Sequence, residues 1–433
     1  MERKLLENLK DWQNKKDRKP LIVNGARQVG KTWLLKEFGR LCFDNFAYIS
    51  FDNDSTARSF FDADFDIDRI IKSISLHTHE EIKPNKTLLI LDEIQTAPKA
   101  LTALKYFYEN APQYAVVVAG SLLGLQQREG SGWPVGKVDY LNLYPLDFIE
   151  FLNATKNNDM AELILSDDTS LINTFRNKLI DLLKQYFVVG GMPEIVKSFV
   201  ENSDYNEIRT LQNKILNDYV QDFSKHIPPK ILKYTHEAWN SIPAHLSREN
   251  KKFVFGHIRQ GARAKQYEES LMWLENAGLI NKIKRISKPG MPLKSYTDNI
   301  SFKVYLLDIG LLGAMSELEP NTILNKNTLF TEFKGALTEQ FVCQQLVGSC
   351  SLTPYYWSAQ NSIGEVDFIV QKSQDIFAIE VKAEENLRSK SLQAFRKKYN
   401  NCNALRFSLS DYREQNWMKN IPLFACMNTN LWN

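Results

Sequence analysis

Short, continuous apolar runs alternate with helix-like stretches through the first part of the chain. The runs occupy residues 21–23, 46–49, 88–91 and 116–119. Strands of a parallel sheet are covered on both faces, so they read as continuous apolar runs instead of alternating ones. The pattern therefore predicts one α/β domain with a parallel sheet over residues 1–155.

The pattern turns helical after this domain. Leucines at helical spacing fill residues 156–225, where the sequence Gly-Gly-Met-Pro at 190–193 is a helix stop signal. This stretch predicts a helical lid or connector. In residues 226–318, helical segments are followed by two apolar strands that flank a Pro-Gly turn at 289–290. Helices followed by such a hairpin are typical of a winged helix.

A polar joint near residue 320 begins the last predicted domain, residues 319–433. A helix around 335–346 precedes two strand-like runs at 366–370 and 376–381. The spacing of these runs predicts a hairpin. The last hundred residues are therefore expected to form a second α/β domain.

Composition narrows the class of protein. Of the 433 residues, 43% are hydrophobic and 24% are charged, which suits several buried cores. The net charge of +3 indicates no global attraction to nucleic acid or to an anionic membrane. The five cysteines are scattered without C-x-x-C spacing, and no apolar stretch approaches the ~18 residues of a membrane span. We therefore expect a cytoplasmic protein without a membrane partner.

A glycine-rich sequence, GARQVGKT at residues 25–32, follows the first apolar run and precedes a helix. Glycines let the backbone curve closely around phosphate, and the amides of the loop and of the helix N-terminus bind anions. In such a loop Lys31 reaches the β- and γ-phosphates and the Thr32 hydroxyl ligates Mg²⁺. A glycine-rich turn without a ligand is the alternative. The predicted ATP-binding residues are Gly25, Ala26, Arg27, Gln28, Val29, Gly30, Lys31, Thr32 and Trp33.

Two carboxylates end the third apolar run. Asp92 and Glu93 directly follow this run, and ligands bind at the carboxyl ends of parallel strands. There Asp92 can hold Mg²⁺ through water, and Glu93 can deprotonate the attacking water. Ser121, after the fourth run, can hydrogen-bond the γ-phosphate or that water. A solvated strand end is the alternative for the acidic pair. With Lys31, Glu93 and Ser121 in catalytic roles, the predicted enzyme is an ATPase that uses ATP and Mg²⁺.

Together these motifs resemble the AAA+ ATPase family. Within it, the chain is most similar to a branch of predicted bacterial and archaeal ATPases in which an AAA-type domain precedes a C-terminal domain of unknown function. The similarity covers nearly the whole chain and rests on three further sequences. These are LYPLDFIEF at 143–151, GGMPE at 190–194 and GEVD at 364–367. The resemblance implies that Ser121 is the sensor 1 residue.

One position departs from this family. Its members usually carry an arginine in the glycine-containing turn before the Leu-Tyr-Pro-Leu segment, whereas this chain has Lys137 after Gly136. Lysine and arginine are not equivalent at a γ-phosphate, so the identity of an arginine finger stays open, with Arg128 as a candidate. AAA+ relatives often complete their sites from a neighbouring subunit, which leaves a homo-oligomer open as well.

A charged pair lies in a strand pattern near the C-terminus. In the sequence IFAIEVK at 376–382, Glu380 and Lys382 share one face because strand side chains alternate. Such charges are unexpected in an apolar strand without a partner or a purpose. With Asp367 on the preceding strand and Glu339 on the helix before it, they resemble the PD-(D/E)xK nuclease superfamily. The resemblance implies metal ligands at Glu339, Asp367 and Glu380 and a catalytic role for Lys382. The alternative is that Glu380 and Lys382 pair with each other on a solvent face, or that the fold is a scaffold with a catalytically dead site.

Positive charge concentrates around the predicted winged helix. The basic residues are Arg259, Arg263, Lys265, Lys282, Lys284, Arg285 and Lys288. Such a patch suits contact with DNA phosphates, and Arg263 and Lys265 lie near a predicted helix start from which they can enter a major groove. A solvated basic face is the alternative.

The sequence as a whole predicts an α/β P-loop NTPase with a parallel sheet, a helical lid, a winged-helix domain and a C-terminal restriction-endonuclease-like α/β domain. The expected function is Mg²⁺-dependent ATP binding and hydrolysis coupled to DNA binding or processing by the C-terminal half. The alternative is a nucleotide-switched module that binds a protein partner through a catalytically dead nuclease-like domain.

Overall fold

The computed structural model describes residues 1–52, 54–121, 133–324, 331–359, 364–383 and 389–433, with the backbone alone for residues 331 and 332. Within these residues the chain divides into two compact units. The N-terminal unit comprises Glu2–Tyr144 and Asn276–Gly278, and the C-terminal unit comprises Pro145–Glu275 and Leu279–Asn433 with Met1.

A five-stranded parallel sheet lies at the centre of the N-terminal unit, which confirms the parallel sheet expected from the apolar runs. Its strands are β1 (Leu21–Asn24), β2 (Asn45–Ser50), β3 (Thr87–Asp92), β4 (Ala115–Gly120) and β5 (Asp139–Asn142). Their spatial order is β2-β3-β4-β1-β5. The edge strand β5 was not predicted, because its residues alternate between half-buried and exposed and form no continuous apolar run.

Helices cover this sheet. They are α1 (Leu5–Gln13), α2 (Lys31–Cys42), α3 (Ser55–Ser59), α4 (Ile67–Thr78) and α5 (Pro98–Asn110). The buried faces of α4 and α5 share one apolar core with β3 and β4, in which Ile70, Leu104, Leu89 and Val118 are all fully buried. Helix α2 begins at Lys31 directly after Gly30, whose φ of 93° lies in the left-handed region that glycine enters without steric cost.

Helices dominate the first part of the C-terminal unit. They are α6 (Phe148–Ala154), α7 (Asn158–Leu165), α8 (Thr169–Thr174), α9 (Arg176–Val189), α10 (Pro193–Asn202), α11 (Tyr205–His226), α12 (Pro229–Asn240), α13 (Ile242–Leu246) and α14 (Ala264–Asn276, of which Asn276 belongs to the N-terminal unit). A capping box begins α6, since the Asp147 side chain accepts the Glu150 N–H and the Glu150 side chain accepts the Asp147 N–H. The predicted helix stop at 190–193 is confirmed, because α9 ends before it and α10 begins at its proline.

An eight-stranded mixed sheet forms the rest of this unit, in the order β12-β13-β11-β10-β9-β8-β6-β7. Its strands are β6 (Ile280–Ile286), β7 (Thr297–Leu306), β8 (Tyr355–Ser358), β9 (Glu365–Lys372), β10 (Asp375–Val381), β11 (Asn403–Ser408), β12 (Arg413–Glu414) and β13 (Lys419–Pro422). The remaining helices are α15 (Ile309–Met315), α16 (Pro320–Leu324), α17 (Thr331–Gln344) and α18 (Lys390–Lys398).

Both hairpins expected in the C-terminal half are present. Strands β9 and β10 pair antiparallel, and so do β6 and β7. Strand β6 also pairs in parallel with β8 through Arg285 and Tyr356. The hairpin expected as the wing of a winged helix is therefore part of the C-terminal sheet.

The segments around Leu146 and Gly191, which belong to the LYPLDFIEF and GGMPE sequences, meet in a buried hydrogen-bond network. The Asp308 carboxylate accepts the Gly191 N–H at 2.7 Å. Gln344 donates to the Tyr186 hydroxyl at 2.9 Å, and that hydroxyl donates to the Leu146 carbonyl at 2.6 Å. A side chain at Gly191 would collide with the Leu146 backbone. The GGMPE sequence thus has a structural role in this network.

No described helix is both long enough and apolar enough to span a bilayer. All five cysteines are free thiols.

Candidate functional site

The glycine loop curves around the ammonium group of Lys31. Lys31 Nζ donates to the carbonyl oxygens of Gly25 at 3.0 Å and Ala26 at 2.9 Å. Burial lowers the pKa of Lys31 to about 8, although the nearby carboxylates of Glu93 and Asp92 act in the opposite direction. The predicted phosphate-binding lysine therefore lies inside the loop and within electrostatic range of both predicted carboxylates.

The loop and the start of α2 fit a phosphate group. The N-cap of α2 is Gly30, which has no side chain to cap the first amides, and the helix dipole adds positive potential there. Gln28 and Gly30 both have left-handed φ values, 66° and 93°, a conformation that helps backbone amides form an anion-binding concavity. A Cβ at Gly25 would collide with the Leu143 carbonyl oxygen, so the loop requires glycine at this position.

Three oxygen-bearing side chains meet at the end of β3. Thr32 Oγ1 donates to Asp92 Oδ2 at 2.5 Å, and the Tyr48 hydroxyl donates to the same oxygen at 3.2 Å. Asp92 is buried. Hydroxyl and carboxylate oxygens are the ligands that Mg²⁺ prefers. Thr32 and Asp92, predicted separately from two motifs, are thus in direct contact and fit a magnesium ion beside the phosphate loop.

Glu93 and Ser121 follow neighbouring strands. The Glu93 backbone is left-handed with φ 52°, and its carboxylate accepts a hydrogen bond from the Gln95 side-chain amide. Strand β4 lies between β3 and β1. Ser121, directly after β4, therefore lies at the carboxyl edge of the sheet between the strand that precedes Glu93 and the strand that leads into the glycine loop. The structure brings both residues to the edge where the sequence placed them.

A buried arginine near the N-terminus supports the loop. Arg3 Nη1 donates to the Val29 carbonyl at 3.0 Å, and Nη2 donates to the Tyr144 carbonyl at 2.6 Å. The Leu143 N–H donates to the Asn24 carbonyl at 2.7 Å. Because a guanidinium presents its donors in a fixed planar fork, one side chain can link the loop to the segment after β5.

Lys137 lies at the opposite edge of the sheet. Its Nζ pairs with Glu109 at 2.9 Å and lies 5.3 Å from the centre of the Tyr108 ring. Both partners belong to the last turn of α5, which leads into the amino end of β4, whereas the glycine loop follows the carboxyl end of β1. Lys137 therefore does not face the glycine loop of its own chain. Arg128 lies outside the described residues.

The four predicted nuclease residues lie close together in the C-terminal unit. Lys382 Nζ pairs with Glu380 Oε1 at 2.7 Å. Burial lowers the pKa of Lys382, but the charges of Glu380, Asp367 and Glu339 outweigh it and raise that pKa. Asp367 Oδ2 accepts the Val381 N–H at 2.8 Å. The ion pair between Glu380 and Lys382, which the sequence left as an alternative, is present, but Glu380 is buried and does not lie on a solvent face.

Two further lysines enter the same cluster. Lys251 Nζ lies 2.8 Å from Glu339 Oε1, and the ammonium of Lys303 lies 3.7 Å from Glu339 Oε2 and also pairs with Glu365. Tyr305 donates to Glu339 Oε2 at 2.9 Å. Burial opposes ionisation of Glu339, but the two ammonium groups outweigh it and lower the pKa of Glu339 to about 2.

The pKa of Asp367 is shifted in the opposite direction from that of Glu339. Burial, followed by the negative charge of Glu339, raises the pKa of Asp367 to about 7. Burial disfavours the charged form of Lys303, but the effect of the surrounding carboxylates is larger and raises the pKa of Lys303. We define Lys251, Lys303, Glu339, Glu365 and Asp367 as the charge cluster.

This cluster is organised around ion pairs. In the part of the chain that the structure describes, no group of three or more His, Cys, Asp or Glu side chains is arranged to hold a metal ion. The glycine-loop site does not depend on three such side chains, since the Thr32 hydroxyl and phosphate oxygens would join Asp92 as ligands of a metal ion. The geometry of the described residues thus lends no support to metal binding by Glu339, Asp367 and Glu380.

Several of the predicted DNA-contacting residues are engaged locally. Arg259 donates to the Tyr267 hydroxyl at 3.1 Å, and Arg285 donates to the Ser358 carbonyl at 2.8 Å. Lys282 lies 4.2 Å from the centre of the Phe302 ring. In contrast, the side chains of Arg263 and Lys265 are exposed at the start of α14.

Sequence reasoning missed Arg3, Tyr48, Gln95, Lys251 and Lys303. For Lys303 a signal existed, because a lysine inside the apolar run of β7 is as unusual as the charged pair of Glu380 on β10 and Lys382 directly after it. Tyr48 and Arg3 had no comparable signal, since an aromatic residue in a strand and an arginine before a helix are both common.

Comparison with protein families divides the chain into three matched segments. Residues 17–152 match the model of an AAA domain. Residues 180–322 and 334–425 match two domains of unknown function, DUF8612 and DUF4143. No curated protein sequence matches the chain.

Similar solved structures are distant. The Walker-type ATPase PABY2304 of Pyrococcus abyssi has 13% identity and a TM-score of 0.45, with 72% of this chain and 94% of that chain covered. The ORC2 protein of Aeropyrum pernix, in ADPNP-ADP complexes, has 15% identity and a TM-score of 0.35, covering 74% and 90%. At these values the similarities carry no inference about function.

Proposed function

We propose that the chain is a P-loop ATPase that binds ATP with Mg²⁺ at the glycine loop and hydrolyses it there, which the match of residues 17–152 to the model of an AAA domain supports. The observation that carries this proposal is the 2.5 Å contact between Thr32 and Asp92 beside the buried ammonium of Lys31. Two motifs that are 60 residues apart in sequence thus supply one site.

Each residue has a role in this proposal. Lys31 and the loop amides bind the phosphates, and Trp33 is the last of the ATP-binding residues, 25–33. Thr32 and Asp92 hold Mg²⁺, which supplies positive charge to the phosphate oxygens. Glu93 accepts the proton of the attacking water, and Ser121 hydrogen-bonds the γ-phosphate.

Two variants test the proposal. Lys31→Ala should abolish ATP binding measured by calorimetry, whereas Glu93→Gln should bind ATP and lose phosphate release, because an amide cannot accept the proton. Lys83→Ala and Glu81→Gln are matched controls, since this exposed ion pair precedes β3, away from the glycine loop. Hydrolysis by Glu93→Gln at the wild-type rate would remove Glu93 from the mechanism.

We further propose that the C-terminal unit is an interaction module with a nuclease-like domain that does not cut. The buried Lys303 ammonium, 3.7 Å from Glu339 Oε2, supports this, because it already neutralises a carboxylate that a nuclease would use to hold a metal ion. Nicking of supercoiled plasmid with Mg²⁺ or Mn²⁺ is the test. Nicking by the wild type that is lost in both Asp367→Ala and Lys382→Ala would refute the proposal.

DNA is a second candidate partner of this unit, beside a protein partner. The exposure of Arg263 and Lys265 at the start of α14 favours it. A labelled duplex should bind at low salt and lose affinity in the Arg263→Ala/Lys265→Ala variant. Equal affinity of the variant and the wild type would exclude this surface as the DNA contact.

The finer organisation also belongs to the proposal. It comprises an ATPase domain over residues 1–155, a helical lid over 156–225, a winged helix over 226–318 and a nuclease-like domain over 319–433, with the hairpin of the winged helix in the same sheet as the strands of the nuclease-like domain. The proposal also includes assembly into a homo-oligomer and a cytoplasmic location. The free cysteines support the cytoplasmic location.

A further inference from the structure

Tyr48 on β2 contacts the predicted magnesium-binding carboxylate. Strands β2 and β3 are parallel neighbours with Ser50 in register with Asp92. Tyr48 lies two residues before Ser50, so both side chains point to the same face of the sheet. Its hydroxyl donates to Asp92 Oδ2 at 3.2 Å, the same oxygen that accepts Thr32 Oγ1. One carboxylate oxygen therefore has two hydroxyl donors.

A cation lies over the Tyr48 ring. Lys36 Nζ is 3.6 Å from the ring centre, and Lys36 follows Thr32 by one turn of α2, so both side chains extend from the same helix face. A cation over an aromatic face draws on the negative potential of the ring, which strengthens the hydroxyl as a donor.

We propose that Tyr48 is a positioning residue that sets how strongly Asp92 holds the magnesium ion of the ATP site. The inference rests on the proposed magnesium role of Thr32 and Asp92. If Thr32 Oγ1 becomes a metal ligand, its oxygen faces the ion, and Tyr48 remains to fix the Asp92 carboxylate from β2. Partners that orient a metal-binding side chain typically change metal affinity by roughly 10- to 100-fold when removed.

The test separates metal binding from nucleotide binding. Tyr48→Phe removes only the hydroxyl, and Tyr108→Phe is the matched control because the Tyr108 hydroxyl donates to an exposed Asp17 carboxylate at 3.1 Å. Binding of a fluorescent, non-hydrolysable ATP analogue is measured in EDTA and then during a Mg²⁺ titration. We expect unchanged affinity in EDTA, and a Mg²⁺ concentration for half-maximal binding about 10-fold higher in Tyr48→Phe alone.

A second variant keeps the hydroxyl. Lys36→Met removes the cation above the ring and should shift the Mg²⁺ requirement in the same direction by a smaller factor. If both variants match the wild type, or if Tyr48→Phe loses affinity equally with and without Mg²⁺, the positioning role is overturned. A wild type that binds the analogue independently of Mg²⁺ would instead overturn the proposed magnesium site itself.

Discussion

Replacing Lys303 by methionine should strongly destabilise the C-terminal unit. The Lys303 side chain is fully buried, pairs with Glu365 and lies 3.7 Å from Glu339. Methionine keeps an unbranched apolar stem of similar volume, so the substitution mainly removes the charge. Loss of one partner from a buried ion pair costs about 3–5 kcal/mol. The Glu365 side chain is 25% exposed and can be hydrated. We therefore expect a cost at the lower end of this range, about 3 kcal/mol.

Hydrogen exchange followed by mass spectrometry measures this cost where it arises. Peptides covering β7 and β9 should exchange roughly 100-fold faster in Lys303→Met, since each 1.4 kcal/mol corresponds to a factor of ten. Lys197→Met is the matched control, because both side chains of its ion pair with Glu201 are exposed and such pairs contribute little to stability.

A compensating variant tests whether charge is the cause. Adding Glu365→Gln to Lys303→Met should recover much of the lost stability, because the carboxylate left without its ammonium becomes neutral. A Lys303→Met protein within about 1 kcal/mol of the wild type would refute the ion-pair reasoning. A double variant no more stable than Lys303→Met would show that the cost comes from packing.

Three further predictions concern Arg3, Asp308 and Asp367. Arg3→Gln should weaken ATP binding in calorimetry by roughly 10-fold, since hydrogen bonds from charged groups contribute about 1.5–3 kcal/mol. Arg18→Gln is the control. It loses a hydrogen bond to the Gln13 carbonyl at 3.3 Å and should leave ATP affinity unchanged. Asp308→Ala should lower the free energy of unfolding in urea by about 3 kcal/mol, because the buried Gly191 N–H loses its acceptor, and Asp308→Asn should cost less. The raised pKa of Asp367 means that the contribution of this carboxyl group to stability falls as pH rises from about 4 to about 7. Asp367→Asn should therefore be more stable than the wild type at pH 8 in urea denaturation, with the difference narrowing towards pH 4. Equal ATP affinities of Arg3→Gln and wild type, an unchanged urea midpoint of Asp308→Ala, or a pH-independent difference for Asp367→Asn would contradict the respective assignment.

The pair of Thr32 and Asp92, which we propose holds Mg²⁺, shows what local sequence can predict. The chemistry of a phosphate loop resides in consecutive residues, so GARQVGKT identifies Lys31 and Thr32 directly. Asp92 follows a continuous apolar run, and such runs mark the strands of a parallel sheet. Their contact needed only the rule that parallel strands present their carboxyl ends at one edge.

The residues around that pair could not be predicted in the same way. Tyr48 reaches Asp92 because β2 and β3 are neighbours in register, and Arg3 reaches Val29 and Tyr144 because the chain start folds back onto the loop. Neither strand order nor the return of the chain terminus is encoded in a local pattern. These contacts join positions that are distant in sequence.

The C-terminal unit shows the same division more sharply. The apolar runs and the charged residues within them were sufficient to predict the hairpin of β9 and β10 and to single out Glu380 and Lys382. Whether those carboxylates face a metal or an ammonium depends on which other strand lies nearby. Tertiary structure decided this, because β6 and β7 join the same sheet and Lys303 of β7 is buried between Glu339 and Glu365. Sequence determines which groups carry charge, whereas the fold determines which opposite charge each of them meets in the low-dielectric interior.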